Sequence, residues 1–214
     1  VEYADARLET HYNELITVAN GKIERGIINR KRGIGIRALV NGAWGFQSTT
    51  DLTKRGVKKA VEIAFKVAKA SSRHVPTPVK LAPTKAYKTA YKTKVKIDIE
   101  DLNFEEKMKD MLTWEKTLHT SKKIVRGLVD YTGIKINKIF VNTEGANIKF
   151  DNMLVWADLK ADAKQRNLIQ YYHRTVGHSG GYEIFAKTNM EEVSAEISEK
   201  AEELLKAKQA KMDK

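Results

Sequence analysis

The sequence contains no cysteine, which removes disulfides, thiolate metal ligands and thiol nucleophiles together and fits a reducing, cytoplasmic setting. Proline is almost as scarce, with Pro76, Pro78 and Pro83 the only three. No apolar run approaches the roughly 20 residues that span a bilayer. The first residues, Val1-Glu2-Tyr3-Ala4-Asp5, lack the basic and apolar regions of a signal peptide. No methionine leads the chain, so an excised piece of a longer protein is expected. Acidic residues are also short, 27 against 39 Lys and Arg, leaving +12 at pH 7. What is present is 214 residues with 42% hydrophobic content, enough to bury a core as one large domain or two small ones.

The charge is uneven. Residues 51–100 hold thirteen basic and four acidic side chains, three quarters of the net excess, and all three prolines lie in the same stretch after Ser71-Ser72-Arg73-His74. Such Pro-rich polar sequence reads as an extended connector. The expected organisation is therefore an N-terminal β-meander plus helix over 1–75, a Pro/Lys connector over 76–90, and an α+β region over 91–214.

Local patterns fill this outline. Residues 4–18 read as extended, and Asn20-Gly21 and Asn41-Gly42 are hairpin turns, since both central positions of that turn take positive φ. Between them Ile34, Ile36, Ala38 and Val40 recur with period two. Thr49 or Thr50 caps a helix with Val57, Ala60, Val61, Ala64, Val67 and Ala68 on its apolar side. Tyr91, Thr93, Val95, Ile97 and Ile99 alternate with polar residues as a strand with one wet face. Asn103 starts a helix carrying Phe104, Met108, Met111, Leu112 and Leu118 inward. Strands follow over 123–131, 134–142, 147–162 and 167–176, and a last helix from about Asn189 uses Met190, Val193, Ile197, Ala201 and Leu204. The fold class is α+β, antiparallel or mixed sheets with a few covering helices.

Catalytic constellations are missing. The closest histidines, His173 and His178, are five apart, whereas two ligands on one helix need a spacing of three or four. There is no Gly-x-Ser-x-Gly turn, and Gly33-Ile34-Gly35 runs into a β pattern instead of a phosphate-cradling helix. No catalytic or metal-ligating residue is assigned. A basic patch is visible at Lys80, Lys85, Lys88, Lys92, Lys94 and Lys96 with Tyr87 and Tyr91 interleaved. It supports an alternative reading as a Lys-rich module for nucleic acid or an acidic protein partner. The excess is Lys, however, and lysines on an edge strand guard against sheet-to-sheet aggregation, so neither nucleic acid nor a membrane is the expected partner.

Two stretches carry a resemblance. Arg32-Gly33-Ile34-Gly35-Ile36-Arg37-Ala38-Leu39-Val40-Asn41-Gly42-Ala43-Trp44-Gly45-Phe46, continuing into Lys58-Lys59-Ala60-Val61-Glu62, is one. Val141-Asn142-Thr143-Glu144-Gly145, followed by the strands up to Gly180-Gly181-Tyr182-Glu183, is the other. Together they resemble the N-terminal part of the TldD/PmbA metallopeptidases, once called modulators of DNA gyrase, and the Trp44-containing form is more like the TldD branch.

The resemblance implies a zinc-dependent peptidase whose metal is held by a His-Glu-x-x-x-His helix and a Cys. This sequence holds neither, so no cofactor is expected in this chain and zinc only in the full-length protein. It implies a homodimer, or a heterodimer with a family relative, enclosing a chamber for unfolded peptide, and a C-terminal peptidase domain as the chain's own missing partner. A gyrase-modulator-type regulator is the remaining alternative. Chamber contacts are expected at Trp44, Gly45 and Phe46 and at Gly177, His178, Gly180 and Gly181, although aromatics such as Trp44 and Phe46 are more often simply core.

Overall fold

In the computed structural model, which describes residues 1–208, the chain is α+β. Seven strands, β1 (Tyr3–Ala19), β2 (Lys22–Val40), β3 (Ala43–Thr49), β4 (Lys88–Lys92), β5 (Ile124–Asn142), β6 (Asn147–Gln165) and β7 (Leu168–His178), form one sheet in the order β3-β2-β1-β5-β6-β4, with β7 on β6. Four helices accompany them: α1 (Lys54–Ser71), α2 (Phe104–Leu118), α3 (Glu183–Lys187) and α4 (Met190–Leu204). None of the described helices is long and apolar enough to cross a membrane. Most pairing is antiparallel, including β6 with β7 through Val155↔His178 to Gln165↔Leu168. Short β4 instead runs parallel to β6 over Asn147–Asp151. Both Asn-Gly turns form as expected, with φ of 49° and 72° at Asn20 and Gly21 and 47° and 73° at Asn41 and Gly42.

The chain folds as two compact units, neither contiguous in sequence. The first collects Val1–Tyr12, Asn29–Thr93 and Lys135–Asn152. The second collects Asn13–Ile28, Lys94–Ile134 and, among the described residues, 153–208.

In the first unit, Ile36, Ala38 and Val40 of β2 pack with Ala60, Ala64 and Ala68 of α1. The small side chains let helix and sheet approach closely. A Cβ on Gly45 would sit 2.0 Å from the Ala64 carbonyl and 2.4 Å from the Ala68 nitrogen, so only glycine fits there. The helix cap is Thr53, whose hydroxyl accepts from the Gly56 N–H, not Thr49 or Thr50. Those two precede an Asx turn in which Asp51 accepts from the Thr53 N–H and hydroxyl, and this delays the helix by one turn. Val61 and Val67 are exposed, so the buried stripe is narrower than the apolar pattern suggested. The proline segment is anchored where the Val79 N–H donates to the Gly42 carbonyl at 2.9 Å.

In the second unit, α2 buries Met111, Trp114 and Leu118, and α4 buries Met190, Val193, Ile197 and Ala201. Leu205 is buried where Leu204 was expected, and Leu204 faces out. Helix α4 packs on α2 and β7. Phe185 of the unforeseen helix α3 meets Tyr182 (5.0 Å), Trp114 (5.2 Å) and Tyr131 (6.0 Å). Strand β5 continues through Gly133, where a break was expected, and β6 runs to Gln165.

The strand expected over 91–99 is not formed beyond Lys92. The Thr93 N–H closes the β4 ladder on the Asp151 carbonyl at 2.8 Å. Further on, the Ile97 N–H is taken by the Glu183 carboxylate at 2.9 Å and the Ile97 carbonyl by the Tyr182 N–H. Thr93 and Ile99 are still buried: the alternation was real, but side-chain and loop partners replace a neighbouring strand.

Candidate functional site

Strand β3 alternates between the two faces of the first unit. Gly45 turns to α1, as above, and Trp44 and Phe46 turn away from it. Trp44 is half-buried, edge-on to Tyr3 at 5.8 Å and under the Arg37 guanidinium at 4.8 Å. Arg37 in turn clamps the buried Asp5 carboxylate at 2.6 and 3.0 Å. Phe46 is 58% exposed, so it is not core, and its ring lies over Gly35, where a Cβ would approach to 3.2 Å.

Around it opens a groove of about 780 Å³ lined by Gly33 and Gly35 and by Arg7, Lys31, Arg32 and Phe46. Its only carboxylate, Glu9, is already engaged by His11 and Lys138, each at 2.8 Å. Those contacts, Lys138 first, hold Glu9 below the ordinary carboxylate range. Helix α1 is the only described helix of this unit and lies on the opposite face.

The second predicted cluster belongs to the other unit. Gly177 is exposed, while Gly180 and Gly181 are buried. His178 donates from Nε2 to the Gly181 carbonyl at 2.9 Å, and the Gly180 N–H donates to the Met153 carbonyl at 3.0 Å. A Cβ on Gly181 would lie 2.0 Å from the Ile97 carbonyl. The imidazole thus fastens its own loop. Glu183, part of the resembling stretch but not among the expected chamber contacts, completes the fastening by accepting from the Ile97 and Gly181 N–H groups. Burial tends to raise this carboxyl, but the backbone N–H groups prevail and hold it below its ordinary value.

Sequence reasoning also missed a buried ionic cluster in this unit. Lys107 Nζ donates to both oxygens of Glu14 at 2.6 and 2.7 Å and to the Ile99 carbonyl, and the Tyr131 hydroxyl donates to Glu14 at 3.1 Å. Both ionic side chains are 1% exposed. Tyr182, buried with its hydroxyl on Asp110 at 2.7 Å, is pushed far above the usual phenol range, burial being the main cause. A further cavity of about 570 Å³ holds His119, whose ring meets the fully buried Glu115 at 2.7 Å. The other Glu115 oxygen accepts from the Gly21 N–H at 2.8 Å, so this carboxylate pins a hairpin turn to α2.

The lysines of the basic patch are all exposed. Lys80 and Lys85 lie in the irregular segment before β4, Lys88 and Lys92 on β4, and Lys94 and Lys96 beyond it. Lys92, Lys94 and Lys96 do not share one strand as expected, because the ladder ends at Lys92. Tyr87 and Tyr91 are just over half exposed, and Lys85 stands 5.7 Å over the Tyr87 ring.

Comparison with known proteins gives a consistent result. Residues 4–68 match the PmbA/TldA metallopeptidase domain 1, and residues 97–205 match the PmbA/TldA metallopeptidase central domain. Metalloprotease MJ0996 of Methanocaldococcus jannaschii is 29% identical over 207 residues, covering 97% of this chain and 45% of that protein. A metalloprotease of Methanothermobacter thermautotrophicus is 30% identical over 208 residues, with 97% and 44% covered. Among solved structures, a Thermotoga maritima protein described as a modulator of DNA gyrase superposes with TM-score 0.76 at 19% identity, over 98% of this chain and 46% of that one. TldE from Thermococcus kodakarensis gives 0.71 at 14% identity, over 94% and 44%. The chain thus spans less than half the length of the relatives it matches. Their names imply a metal for the family, but no group of three or more His, Asp or Glu among the described residues is arranged to hold one.

Proposed function

The chain belongs to the PmbA/TldD metallopeptidase family, and from that premise we propose that it is the non-catalytic N-terminal module of a zinc peptidase, supplying dimer and substrate-chamber surface for unfolded peptide. The observation that carries this reading is the match to domain 1 and the central domain in a chain covering 44–45% of its metalloprotease relatives. The sequence offers no His-Glu-x-x-x-His and no Cys. Its own residues would bind and align: strand edges pair with extended peptide through main-chain hydrogen bonds, and the groove beside Phe46 offers room for side chains. The partner is a second copy or a family relative, in the cytoplasm.

The purified chain with excess zinc and an unfolded peptide is expected to give binding without cleavage. Chelator-sensitive cleavage by the purified chain would overturn the reading. The exposure of Tyr87 and Tyr91 among lysines favours a second one, a basic module for nucleic acid or an acidic protein. It requires sub-micromolar oligonucleotide affinity that survives physiological salt, since charge alone gives salt-sensitive, non-specific binding.

A further inference from the structure

We infer that the groove beside Phe46 selects for acidic side chains in the extended peptide it receives, an inference that rests on the peptide-binding reading above and adds a chemical preference to it. Three observations carry it. Among the described residues, the side chains of Lys31 and Arg32 have no hydrogen-bond or ion-pair partner, although both line the groove. Its third cation, Arg7, makes one 3.3 Å contact to Asp5, but Arg37 already holds that carboxylate at 2.6 Å. The one carboxylate in the lining, Glu9, is paired with Lys138 at 2.8 Å and shares a hydrogen bond with His11 at 2.8 Å. The groove therefore presents uncompensated positive charge to whatever enters it.

Shape and surroundings narrow the occupant. Gly33 and Gly35 add no side chain to the groove, and Phe46, lying over Gly35, supplies an apolar wall for the methylenes of a Glu side chain. Arg32 and Arg7 can each donate to both oxygens of a carboxylate. A nucleic-acid strand fits less well, because Phe46 is the one aromatic in the lining and stacking of successive bases needs several.

The test uses a fluorescein-labelled, C-terminally amidated heptapeptide with two adjacent Glu residues and its Gln counterpart, titrated with the chain and read by fluorescence anisotropy. Amidation removes the terminal carboxylate, so any preference reports side chains. The Glu peptide should bind about tenfold tighter than the Gln peptide at low salt, with the difference shrinking as salt rises. Lys31→Gln/Arg32→Gln should abolish the difference, while Lys85→Gln/Lys88→Gln should leave it. Equal binding of the two peptides overturns this inference alone. Failure of both to bind overturns it together with the peptide-binding reading, and a single-stranded oligonucleotide displacing the Glu peptide at equal charge would assign the groove to nucleic acid instead. The comparison of the two peptides needs no variant, so a misfolded variant cannot rescue the inference.

Discussion

The two units solve the same problem, seating a helix against a sheet, with opposite chemistry. The first uses almost nothing: Ala60, Ala64 and Ala68 on α1 against Ile36, Ala38 and Val40, with Gly45 bringing the backbones together. The second seats α2 with a lysine and carboxylate buried to 1% exposure and with a cluster of Trp114, Tyr131, Tyr182 and Phe185. A contact between small residues tolerates no added atom. A buried ion pair tolerates no lost partner. The one described helix of the first unit, α1, leaves that unit's other face to the groove, whereas the second unit buries an ion pair, Glu14 with Lys107.

The ionic cluster should give the largest effect. Lys107→Met takes from buried Glu14 the cation that donates to both its oxygens, and removing one partner of a buried pair costs roughly 3–5 kcal/mol. Removing both charges, as in Glu14→Leu/Lys107→Met, should recover about half of that loss, since two buried charges cancel in the cycle. The recovery stays partial because the Ile99 carbonyl loses its hydrogen bond from Lys107 and the Tyr131 hydroxyl the one it donates to Glu14. Urea unfolding of the three variants measures this; strict additivity would mean that the pair is not coupled.

Gly45→Ala is next. The added Cβ meets the Ala64 carbonyl and the Ala68 nitrogen, backbone atoms that cannot rotate away, so the expected loss lies near the upper end of about 1–3 kcal/mol. The same geometry predicts that Ala64→Gly added to Gly45→Ala brings no rescue, because the clash is with the helix backbone and not with the Ala64 methyl. Rescue would show that the helix moves and that the close contact is softer than its distances imply.

These two effects differ in how visible their causes were in the sequence. The alanine spacing on α1, the two Asn-Gly turns, Asn103 and Asn189 as caps and the alternation on β6 are local patterns and could be read directly. The Glu14–Lys107 pair is 93 residues apart in the chain, and both residue types read as solvated until topology brings them together. The 93–99 segment misled for a related reason: alternating burial is shared by a strand and by a loop held by Glu183, and only the identity of the hydrogen-bond partners separates them. Phe46, whose composition-based expectation was burial, is exposed because β3 gives its other face to α1 through Gly45. That is again set by packing rather than by residue type.

Glu183 allows the comparison to be made by pH. Its carboxyl lies below its ordinary value in the fold, so the stability it contributes is present above about pH 4.5 and is lost as pH falls through the lowered folded value. Glu183→Gln keeps an acceptor but loses the charge, and should cost about 1 kcal/mol at neutral pH while flattening the acid limb of stability against pH. Glu202, lowered by its hydrogen bond from Ser121 and by Lys123, contributes to the same limb and should remain in the variant. An unchanged limb in Glu183→Gln would move the acid sensitivity to Glu202 and Glu9.

The smallest expected change in stability is the one that separates structure from binding. Phe46 is 58% exposed and its ring rests on a glycine, so Phe46→Ala removes little buried area and should shift unfolding by no more than about 0.5 kcal/mol. If the ring is a wall of a peptide groove, the same substitution should weaken binding of both the Glu and the Gln heptapeptide several-fold, about equally, because it withdraws apolar contact without touching charge. Lys31→Gln/Arg32→Gln should instead weaken the Glu peptide alone. A stability loss of several kcal/mol in Phe46→Ala would place the ring in the core of the first unit and make the open face a product of packing; weak binding at unchanged stability would assign that face to a ligand.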